Sequence, residues 1–358
     1  TSISHIAWME TSTVLRGGDS LCHVVTGADD ALLYGCYVSE GYASGSEIDS
    51  ELRGGGIYCY GAKMRISNCR IANNTAWFGG GIYAELDTVV IDSCRIGDND
   101  ATHNGLYYSG GGGVSLRLTS AIIYDCSFYE NSATDKGGGI MVYNSEAHIL
   151  ECQLAMNSAG NEGGGAYVRC QLDQSIEPVF EDCDFEDNQA DNGGDIYNQW
   201  VNTRISGCEF DGNSVSERGG AMYSEYSSFT MEHCVIMNNR RSAIYSFLPL
   251  GSGQPRIFNC LFFGNEAMTG IDGGAIYNAG GVDPDIECCT IADNSANNGG
   301  GIYNESGSSP GIINCIIWGN TSATGDAQIF DDTGSHSAVS YSDVDQDGYD
   351  GVSGNIRL

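Results

Sequence analysis

Short apolar runs separated by small and polar residues recur along the whole chain. Each run is about four residues long and is bounded by Gly, Asn, Ser or Asp, which is typical of short β-strands joined by turns. No segment of the sequence carries apolar residues at the 3.6-residue spacing of an amphipathic helix over three turns. The pattern therefore predicts an all-β protein.

The apolar runs belong to a repeat that begins at a cysteine. Ten cysteines are each followed by a large apolar residue two positions later and by asparagine five positions later. These cysteines are Cys69, Cys94, Cys126, Cys152, Cys183, Cys208, Cys234, Cys260, Cys289 and Cys315. Neighbouring members are 25 or 26 residues apart in six of nine intervals, and insertions lengthen the others to 29, 31 and 32. Short strands at such a period predict one solenoid coil per repeat.

A second motif follows most of the asparagines and reads Gly-Gly-Gly-Ile-Tyr at residues 54–58, 79–83 and 299–303. Together the two motifs predict a single right-handed parallel β-helix of about ten to twelve coils, in which equivalent residues stack about 4.8 Å apart. We expect amino-terminal coils or a cap over residues 1–50, the repeat β-helix over 51–330 and a closing segment over 331–358.

The repeat assigns a role to each side chain that recurs. The cysteine and the apolar residue after it share one face of a strand, so both should point inward. The asparagines are expected at turns, where they tolerate the left-handed conformation and can hydrogen-bond to one another along the stack. The glycine pairs permit positive φ or close backbone approach. The tyrosine after the isoleucine should face outward, which predicts a partly exposed stripe made of Tyr58, Tyr83, Tyr167, Tyr197, Tyr223, Tyr245, Tyr277 and Tyr303.

The fifteen cysteines could form disulfides or bind metal, but the repeat explains most of them differently. Residues stacked in register lie about 4.8 Å apart, which is longer than the usual spacing of Cβ atoms in a disulfide. We therefore expect mostly free, inert, buried thiols. Cys36 precedes Val38 in a similar pattern and should extend the stack. A disulfide among the remaining cysteines, which are Cys22, Cys59, Cys170 and Cys288, stays open.

The charge of the chain limits its partners. Asp and Glu total 47 against 15 Lys and Arg, which gives a formal net charge of −32. Such a field repels nucleic acid and anionic membrane surfaces, and it favours solubility, cation binding or a salty medium. No apolar run approaches 18 residues, so the sequence predicts no segment that inserts into a bilayer. We expect an extracellular or cell-surface protein.

The repeat motifs resemble those of a known family. Residues 210–213 with 219–222, and 262–265 with 273–276, read as Phe-x-x-Asn followed by Gly-Gly-Ala-Met or Gly-Gly-Ala-Ile. They are similar to the polymorphic outer membrane protein repeats of bacterial surface proteins. Residues 315–344 are similar to the closing coils of secreted right-handed β-helix repeat proteins. The resemblance covers roughly residues 20–350 and implies a pectate lyase-like β-helix on a surface protein, without implying one activity.

Aromatic residues are the candidates for ligand binding. Tyr107 and Tyr108 stand in an insertion, and insertions on rigid scaffolds often carry function. Tyr167, Tyr197 and Tyr223 belong to the predicted stripe and could stack against saccharide rings. In the alternative interpretation the tyrosines only pack on one another and cover the strands.

An acidic segment near the carboxyl end is the candidate metal site. Asp343, Asp345 and Asp347, followed by Gly348, match the first half of a calcium-binding loop. The twelfth position is Gly354, where such a loop has a bidentate glutamate, so the segment is not an EF-hand. No cofactor is required by the sequence, and calcium is the ion that this segment could bind. The alternative is an acidic turn after the last coil.

The leading hypothesis is a secreted or cell-surface module, adhesin-like or structural, whose partner is an extracellular glycan or a surface protein. A polysaccharide lyase or glycoside hydrolase acting on an acidic glycan is the alternative; it would need clustered carboxylates and a basic residue. The candidate bases are Arg53, Lys136 and Arg218, each directly before a glycine pair. A further alternative is a filament subunit that self-associates end to end.

Overall fold

The computed structural model describes residues 13–18, 22–43, 49–103, 105, 109–171, 175–247, 253–267, 269–349 and 351–357. In this part of the chain, three strand positions recur once per coil and a fourth recurs in most coils, and the strands at each position form parallel sheets along the molecule. We name the sheets A, D, B and C in the order in which a coil passes through them. The predicted all-β parallel solenoid is confirmed, with about twelve turns.

Sheet A has thirteen strands, and ten of them consist of the three residues that follow a repeat cysteine. Its strands are Thr13–Arg16, Cys36–Ser39, Arg70–Ala72, Arg95–Gly97, Ser127–Tyr129, Gln153–Ala155, Asp184–Glu186, Glu209–Asp211, Val235–Met237, Leu261–Phe263, Thr290–Ala292, Ile316–Trp318 and Asp343–Val344.

Sheet B has twelve strands and contains the isoleucine and tyrosine of the glycine motif. Its strands are Val25–Thr26, Ile57–Tyr60, Ile82–Glu85, Val114–Arg117, Ile140–Tyr143, Ala166–Arg169, Ile196–Gln199, Met222–Glu225, Ile244–Phe247, Ile276–Ala279, Ile302–Asn304 and Ile329–Asp331.

Sheet C also has twelve strands and closes each coil. Its strands are Ala31–Tyr34, Lys63–Ser67, Thr88–Asp92, Ser120–Tyr124, Glu146–Leu150, Val179–Glu181, Asn202–Ser206, Ser228–Glu232, Arg256–Phe258, Asp285–Glu287, Gly311–Ile313 and Ala338–Ser340. Sheet D has seven short strands, Tyr42–Ala43, Thr75–Ala76, Asp100–Ala101, Ser132–Ala133, Ser158–Ala159, Gln189–Asn192 and Ser214–Arg218. A separate pair, Ser295–Ala296 with Thr321–Ser322, and one 3-10 helix, Asp49–Leu52, complete the elements of the described residues.

The cysteines lie in the core as predicted. All fifteen are free thiols, and the ten repeat cysteines are buried. Each repeat thiol donates to the carbonyl oxygen two residues earlier, as Cys94 does to Asp92 at 3.2 Å. Val38 pairs with Ile71, which places Cys36 over Cys69 and confirms that it extends the stack. The thiols therefore hydrogen-bond across the corner between sheets C and A, and they also fill the core.

The ten repeat asparagines are buried and form a ladder after sheet A, which confirms the predicted amide hydrogen bonds. The Asn74 amide nitrogen donates to Asn99 Oδ1 at 2.9 Å, and most coils repeat this contact. The predicted left-handed conformation of these asparagines is wrong. It is the residue before each of them that has positive φ, for example Asn73 at 59° and Asp98 at 56°. A left-handed residue one position earlier turns the asparagine side chain inward, where it satisfies buried backbone groups.

One acidic side chain interrupts the asparagine ladder. Asp195 replaces the third glycine of the glycine motif and is fully buried. The Asn188 amide donates to Asp195 Oδ1 at 2.8 Å instead of to the next asparagine, and Asp195 Oδ2 has no hydrogen-bond partner. Burial raises the pKa of Asp195 well above its ordinary value, although the Asn188 hydrogen bond opposes the shift. Burial therefore favours the protonated, neutral form of this side chain.

The glycine motif makes the sharp entry into sheet B, as predicted. Gly54 has a φ of 63°, and the first glycine of the other Gly-Gly pairs is likewise left-handed. A Cβ atom on Gly55 would lie 2.4 Å from the carbonyl oxygen of Thr75, so a side chain there would displace the backbone of the neighbouring coil. The two glycines thus serve different needs: the first permits positive φ, and the second permits close approach of two chains.

Side chains cover the last strands of sheets B and C. The Gln346 side chain accepts the Ile329 N–H at 3.0 Å and donates to the Ile329 carbonyl oxygen at 2.9 Å. The Asn355 side chain accepts the Ser342 N–H at 3.0 Å and donates to the Val339 carbonyl oxygen at 3.1 Å. These amides replace the strand that a further coil would supply. In the described residues, no helix has the length and apolar character needed to cross a membrane.

Candidate functional site

The outer face of sheet B concentrates aromatic and charged side chains. Two columns point outward from each strand because side chains alternate along a strand. We call the first the tyrosine column; it comprises Tyr58, Tyr83, Tyr167, Tyr197, Tyr223, Tyr245, Tyr277 and Tyr303, with Ser115 and Met141 in two coils. We call the second, two residues later, the polar column; its members include Glu85, Arg117, Arg169, Gln199 and Glu225.

Six of the eight tyrosines in the tyrosine column are buried, whereas Tyr58 and Tyr277 are half-buried, so the expected partly exposed stripe is wrong for most of the column. Tyr167, Tyr197 and Tyr223 are 0, 4 and 6% exposed. Their ring centroids are 5.5 and 4.8 Å apart with interplanar angles of 19° and 9°. Rings stacked at the strand spacing cover the faces of one another, and flanking side chains cover their edges. A saccharide therefore has no ring face to stack on at these three residues, and their role in binding stays a prediction.

One end of this face holds a closed ion network. Arg53 and Arg117 each donate to a different oxygen of Glu85, both at 2.5 Å, and the Tyr83 hydroxyl donates to Glu85 at 2.7 Å. Arg53 also lies over the Tyr83 ring, 5.1 Å from its centroid. Burial raises the pKa of Tyr83 far above its ordinary value, although Arg53 opposes the shift. The network stabilises the fold only while all of its members are present.

The next coils bring together two carboxyl groups and a lysine. Lys136 Nζ lies 2.9 Å from Asp135 Oδ1 and 3.4 Å from Glu162 Oε2. Asp135 accepts further hydrogen bonds from Asn161 at 2.8 Å and Ser109 at 3.0 Å. Burial raises the pKa of Asp135, but the bonds from Asn161 and Lys136 outweigh it and the net pKa is lowered. Burial raises the pKa of Glu162, and Lys136 opposes this shift.

This pair has the electronic character of an acid and a base but lacks access. Two carboxyl groups whose pKa values are pushed apart are what general acid–base catalysis uses. Lys136 also lies 5.8 Å from the centroid of the Tyr167 ring, so carboxylate, base and aromatic ring do converge. However, Asp135 is 2% exposed, and Glu162 Oε2 is shielded from solvent. Asp135 is thus closed to a substrate, and the Glu162 side chain is only partly exposed, at 23%.

A third network occupies the middle of the face. Gln199 Oε1 accepts from Arg169 at 2.5 Å and from the Tyr167 hydroxyl at 2.9 Å. Gln199 Nε2 donates to Glu225 Oε2 at 2.7 Å, and the Tyr197 hydroxyl donates to the same oxygen at 2.8 Å. The polar column thus holds the phenol groups of the tyrosine column in place.

An aromatic pair lies half-buried at the corner that follows this network. Trp200 and Tyr226 stack with centroids 4.5 Å apart and an interplanar angle of 13°. Both have positive φ, at 57° and 50°, which aims the side chains along the corner.

The other candidate residues for glycan binding cannot be placed. Tyr107 and Tyr108 lie outside the described residues. Beside them, the Gly105 N–H and the Ser109 hydroxyl donate to Asp135, at 3.3 and 3.0 Å.

Comparison with known proteins identifies the family. The model described as right-handed β-helix region matches residues 12–134 and 112–291, which together span well over half of the chain. The chain belongs to this family. No curated protein and no solved structure matches it. Membership of the right-handed β-helix family agrees with the fold, and the finer resemblance to polymorphic outer membrane protein repeats stays a prediction.

The candidate calcium segment of this β-helix protein pairs with an arginine. Arg357 lies 3.1 Å from Asp345 Oδ1 and 2.5 Å from Asp347 Oδ1. Asp343 belongs to the last strand of sheet A, where its N–H donates to the Cys315 carbonyl oxygen. Within the described ranges, no group of three or more His, Cys, Asp or Glu side chains is arranged to hold a metal ion. Calcium binding by these three aspartates stays a prediction.

Sequence reasoning missed the polar column, although a signal for it exists. Each member stands two residues after a member of the tyrosine column, which is a tyrosine in every case except Ser115 before Arg117, so it must point to the same side of the strand. Reading that offset through the repeats gives Glu85, Arg117, Arg169, Gln199 and Glu225. What the sequence does not show is which neighbour each charge selects, because the partners lie one coil away.

Proposed function

We propose that this β-helix protein is a secreted or cell-surface module with an adhesin-like role. In this role the solenoid is a rigid support, and exposed side chains on its outside retain an extracellular glycan or a surface protein without chemical turnover. The family contains no single activity that decides the matter, since fold alone does not carry function. The net charge of −32 supports a location outside contact with nucleic acid and anionic membranes.

The observation that carries this proposal is the closure of the outer face of sheet B. Its carboxylates bind its own arginines and lysine, and its ring faces cover one another. A catalytic face needs groups whose reactive atoms meet the substrate. In a structural support the polar groups bind one another instead, since every buried polar group must have a partner inside the molecule.

A glycan-active enzyme is the second candidate, favoured by one observation. Asp135, Glu162 and Lys136 converge beside Tyr167, with carboxyl pKa values shifted in opposite directions. This candidate predicts Glu162 as the acid.

The decisive experiment offers the protein a panel of acidic and neutral polysaccharides. Retention is measured on immobilised glycans, and turnover is measured as new reducing ends and as the ultraviolet absorbance of unsaturated products. The proposal expects retention without turnover. Turnover that disappears in Glu162→Gln would contradict it and establish the enzyme.

The matched control is Glu266→Gln. Glu266 also lies at an isolated bridge, between Arg240 and Ser295, but it follows the repeat asparagine Asn265 instead of preceding a glycine pair, and it is exposed. Loss of turnover in both variants would point to a general effect on the solenoid.

End-to-end assembly remains a prediction without a supporting contact. The side chains of Gln346 and Asn355 already hydrogen-bond the strand edges on which a second subunit would stack.

A further inference from the structure

The outer face of sheet A changes character along the solenoid. Near the amino end it carries Arg70 and Arg95. Its middle strands, Asp184–Glu186 and Glu209–Asp211, carry only acidic side chains outward. The strands that follow carry mostly apolar ones in register: Val235, Leu261 and Ile316 with the polar Thr290 in one column, and Met237, Phe263, Ala292 and Trp318 in the other. The apolar part lies next to the acidic part.

Two exposed rings lie on either side of an alanine in the second column. Phe263 and Trp318 are 44 and 36% exposed, and each pairs in register with Ala292, which lies between them. Two strand spacings separate the rings, roughly 9–10 Å. Because alanine reaches only a methyl group above the sheet, the space between the rings is a slot, which we call the ring slot. It can hold one flat group.

A carboxylate stands at the end of the ring slot. Asp293 follows Ala292, is exposed, and has a φ of 54°. The equivalent residues in the two adjacent coils are Gly264 and Gly319, which place no side chain beside it. The slot therefore offers two ring faces, a short floor and an accessible anionic end.

The same sheet face shows how arginine side chains pack on aromatic rings at this strand spacing. At the amino end Arg70 lies over the Tyr37 ring, 5.0 Å from its centroid, and Arg95 lies 4.2 Å from the centroid of Tyr129. Tyr37 and Arg70 are register partners, so one strand spacing is the natural distance for a guanidinium on a ring. Within the described residues, no arginine or lysine lies over Phe263 or Trp318.

We propose that the ring slot captures an arginine side chain of a partner protein, with the guanidinium between Phe263 and Trp318 and paired with Asp293. A guanidinium midway between the rings lies about 5 Å from each, inside the range of a cation–π contact. The planar fork suits the carboxylate, and the acidic strands beside the slot raise the local concentration of cations. A neutral sugar would gain nothing from that field. This inference rests on the proposed binding role and names its partner chemistry.

The test uses a peptide with one arginine, acetyl-Gly-Arg-Gly-amide, and its citrulline counterpart, which keeps the shape and loses the charge. Binding is followed on the full chain through the indole N–H signal of Trp318 in a two-dimensional NMR spectrum, assigned with Trp318→Phe among the four tryptophans. We expect millimolar binding of the arginine peptide and at least tenfold weaker binding of the citrulline peptide.

Two variants of one strand provide the matched comparison. Ala292→Leu fills the ring slot and should weaken binding at least fivefold. Thr290→Leu adds a side chain of the same size on the same outer face, outside the slot, and should leave binding within twofold. Asp293→Asn keeps the left-handed residue type and should weaken binding about threefold. Circular dichroism and the melting temperature verify that each variant folds.

Three results would overturn the inference. The first is equal binding of the arginine and citrulline peptides, and the second is an equal effect of Ala292→Leu and Thr290→Leu on binding. The third is a saturable shift of the Trp318 signal on addition of a chitin or cellulose oligosaccharide but not of the arginine peptide. Turnover of a polysaccharide would instead contradict the proposed function. Retention of glycans or cell surfaces with a silent Trp318 signal would refute the ring slot alone, so the two failures are distinguishable.

Discussion

The outer faces of sheets A and B are built on the same strand spacing but differ in how they treat aromatic rings. On sheet B almost every coil contributes a ring, so Tyr167, Tyr197 and Tyr223 stack and nearly vanish from the surface. On sheet A an alanine separates Phe263 from Trp318, and both rings stay exposed. An uninterrupted column of rings is thus a structural device, whereas an interrupted one leaves faces for a ligand. The number of rings matters less than the gaps between them.

Truncating one ring on each sheet face gives the largest expected contrast. Tyr197→Ala removes a ring that stacks on both neighbouring tyrosines of the column, and it removes a hydroxyl bonded to Glu225. It should lower the free energy of unfolding by about 3–5 kcal/mol. Phe263→Ala should cost less than about 1.5 kcal/mol, because that ring is already 44% exposed. Denaturant unfolding followed by circular dichroism measures both. Equal losses would mean that the exposed ring is part of the structural core.

Removing the acid at the centre of the closed network is the next test. Glu85→Ala leaves the buried guanidinium of Arg53 and the half-buried guanidinium of Arg117 without their carboxylate, and we expect a loss of about 3 kcal/mol in the free energy of unfolding. Arg65→Ala is the control, since it breaks an exposed pair with Asp92 and should cost less than about 1 kcal/mol. If the two variants are equally stable, the network on sheet B is not closed to water.

The buried carboxyl group of Asp195 should make the stability of the fold depend on pH. The pKa of Asp195 is raised in the folded chain, so folding takes up a proton and stability falls as pH rises from the unfolded pKa towards the folded one. The loss is about 1.4 kcal/mol per pH unit over that window. Asp195→Asn should remove this slope and raise the melting temperature at pH 8 but not at pH 3.5. If the melting temperature of the unsubstituted protein is independent of pH above 4, a raised pKa of Asp195 is contradicted.

The smallest effect is expected from a variant that gives sheet A a continuous ring stack like that of sheet B. Ala292→Phe places a third ring between Phe263 and Trp318, which should form a continuous stack like that of sheet B. We expect a gain of about 0.5–1.5 kcal/mol in the free energy of unfolding. Quenching of tryptophan fluorescence by acrylamide should also decrease. Unchanged quenching would show that spacing alone does not make rings stack on this sheet.

Much of the fold could be predicted because each coil repeats one set of local rules. The offsets from Cys94 to Ile96 and Asn99 recur in every unit, and a ladder of identical side chains follows once the strands are in register. The candidate site was less predictable. The outward direction of Tyr197 follows from strand alternation, but its burial depends on a ring in each neighbouring coil and on Gln199 and Glu225 beside it.

The sequence by itself determined the coil, its strands, the inward cysteines and the buried asparagine ladder, because a repeat with period-two alternation has one arrangement that buries its apolar positions. Only the tertiary structure decided which outward positions meet solvent. Exposure of an outward side chain depends on register partners that are 22 to 33 positions away and become neighbours once the coils stack. That is why Tyr223 is hidden and Trp318 is open, although both stand at outward positions of their strands.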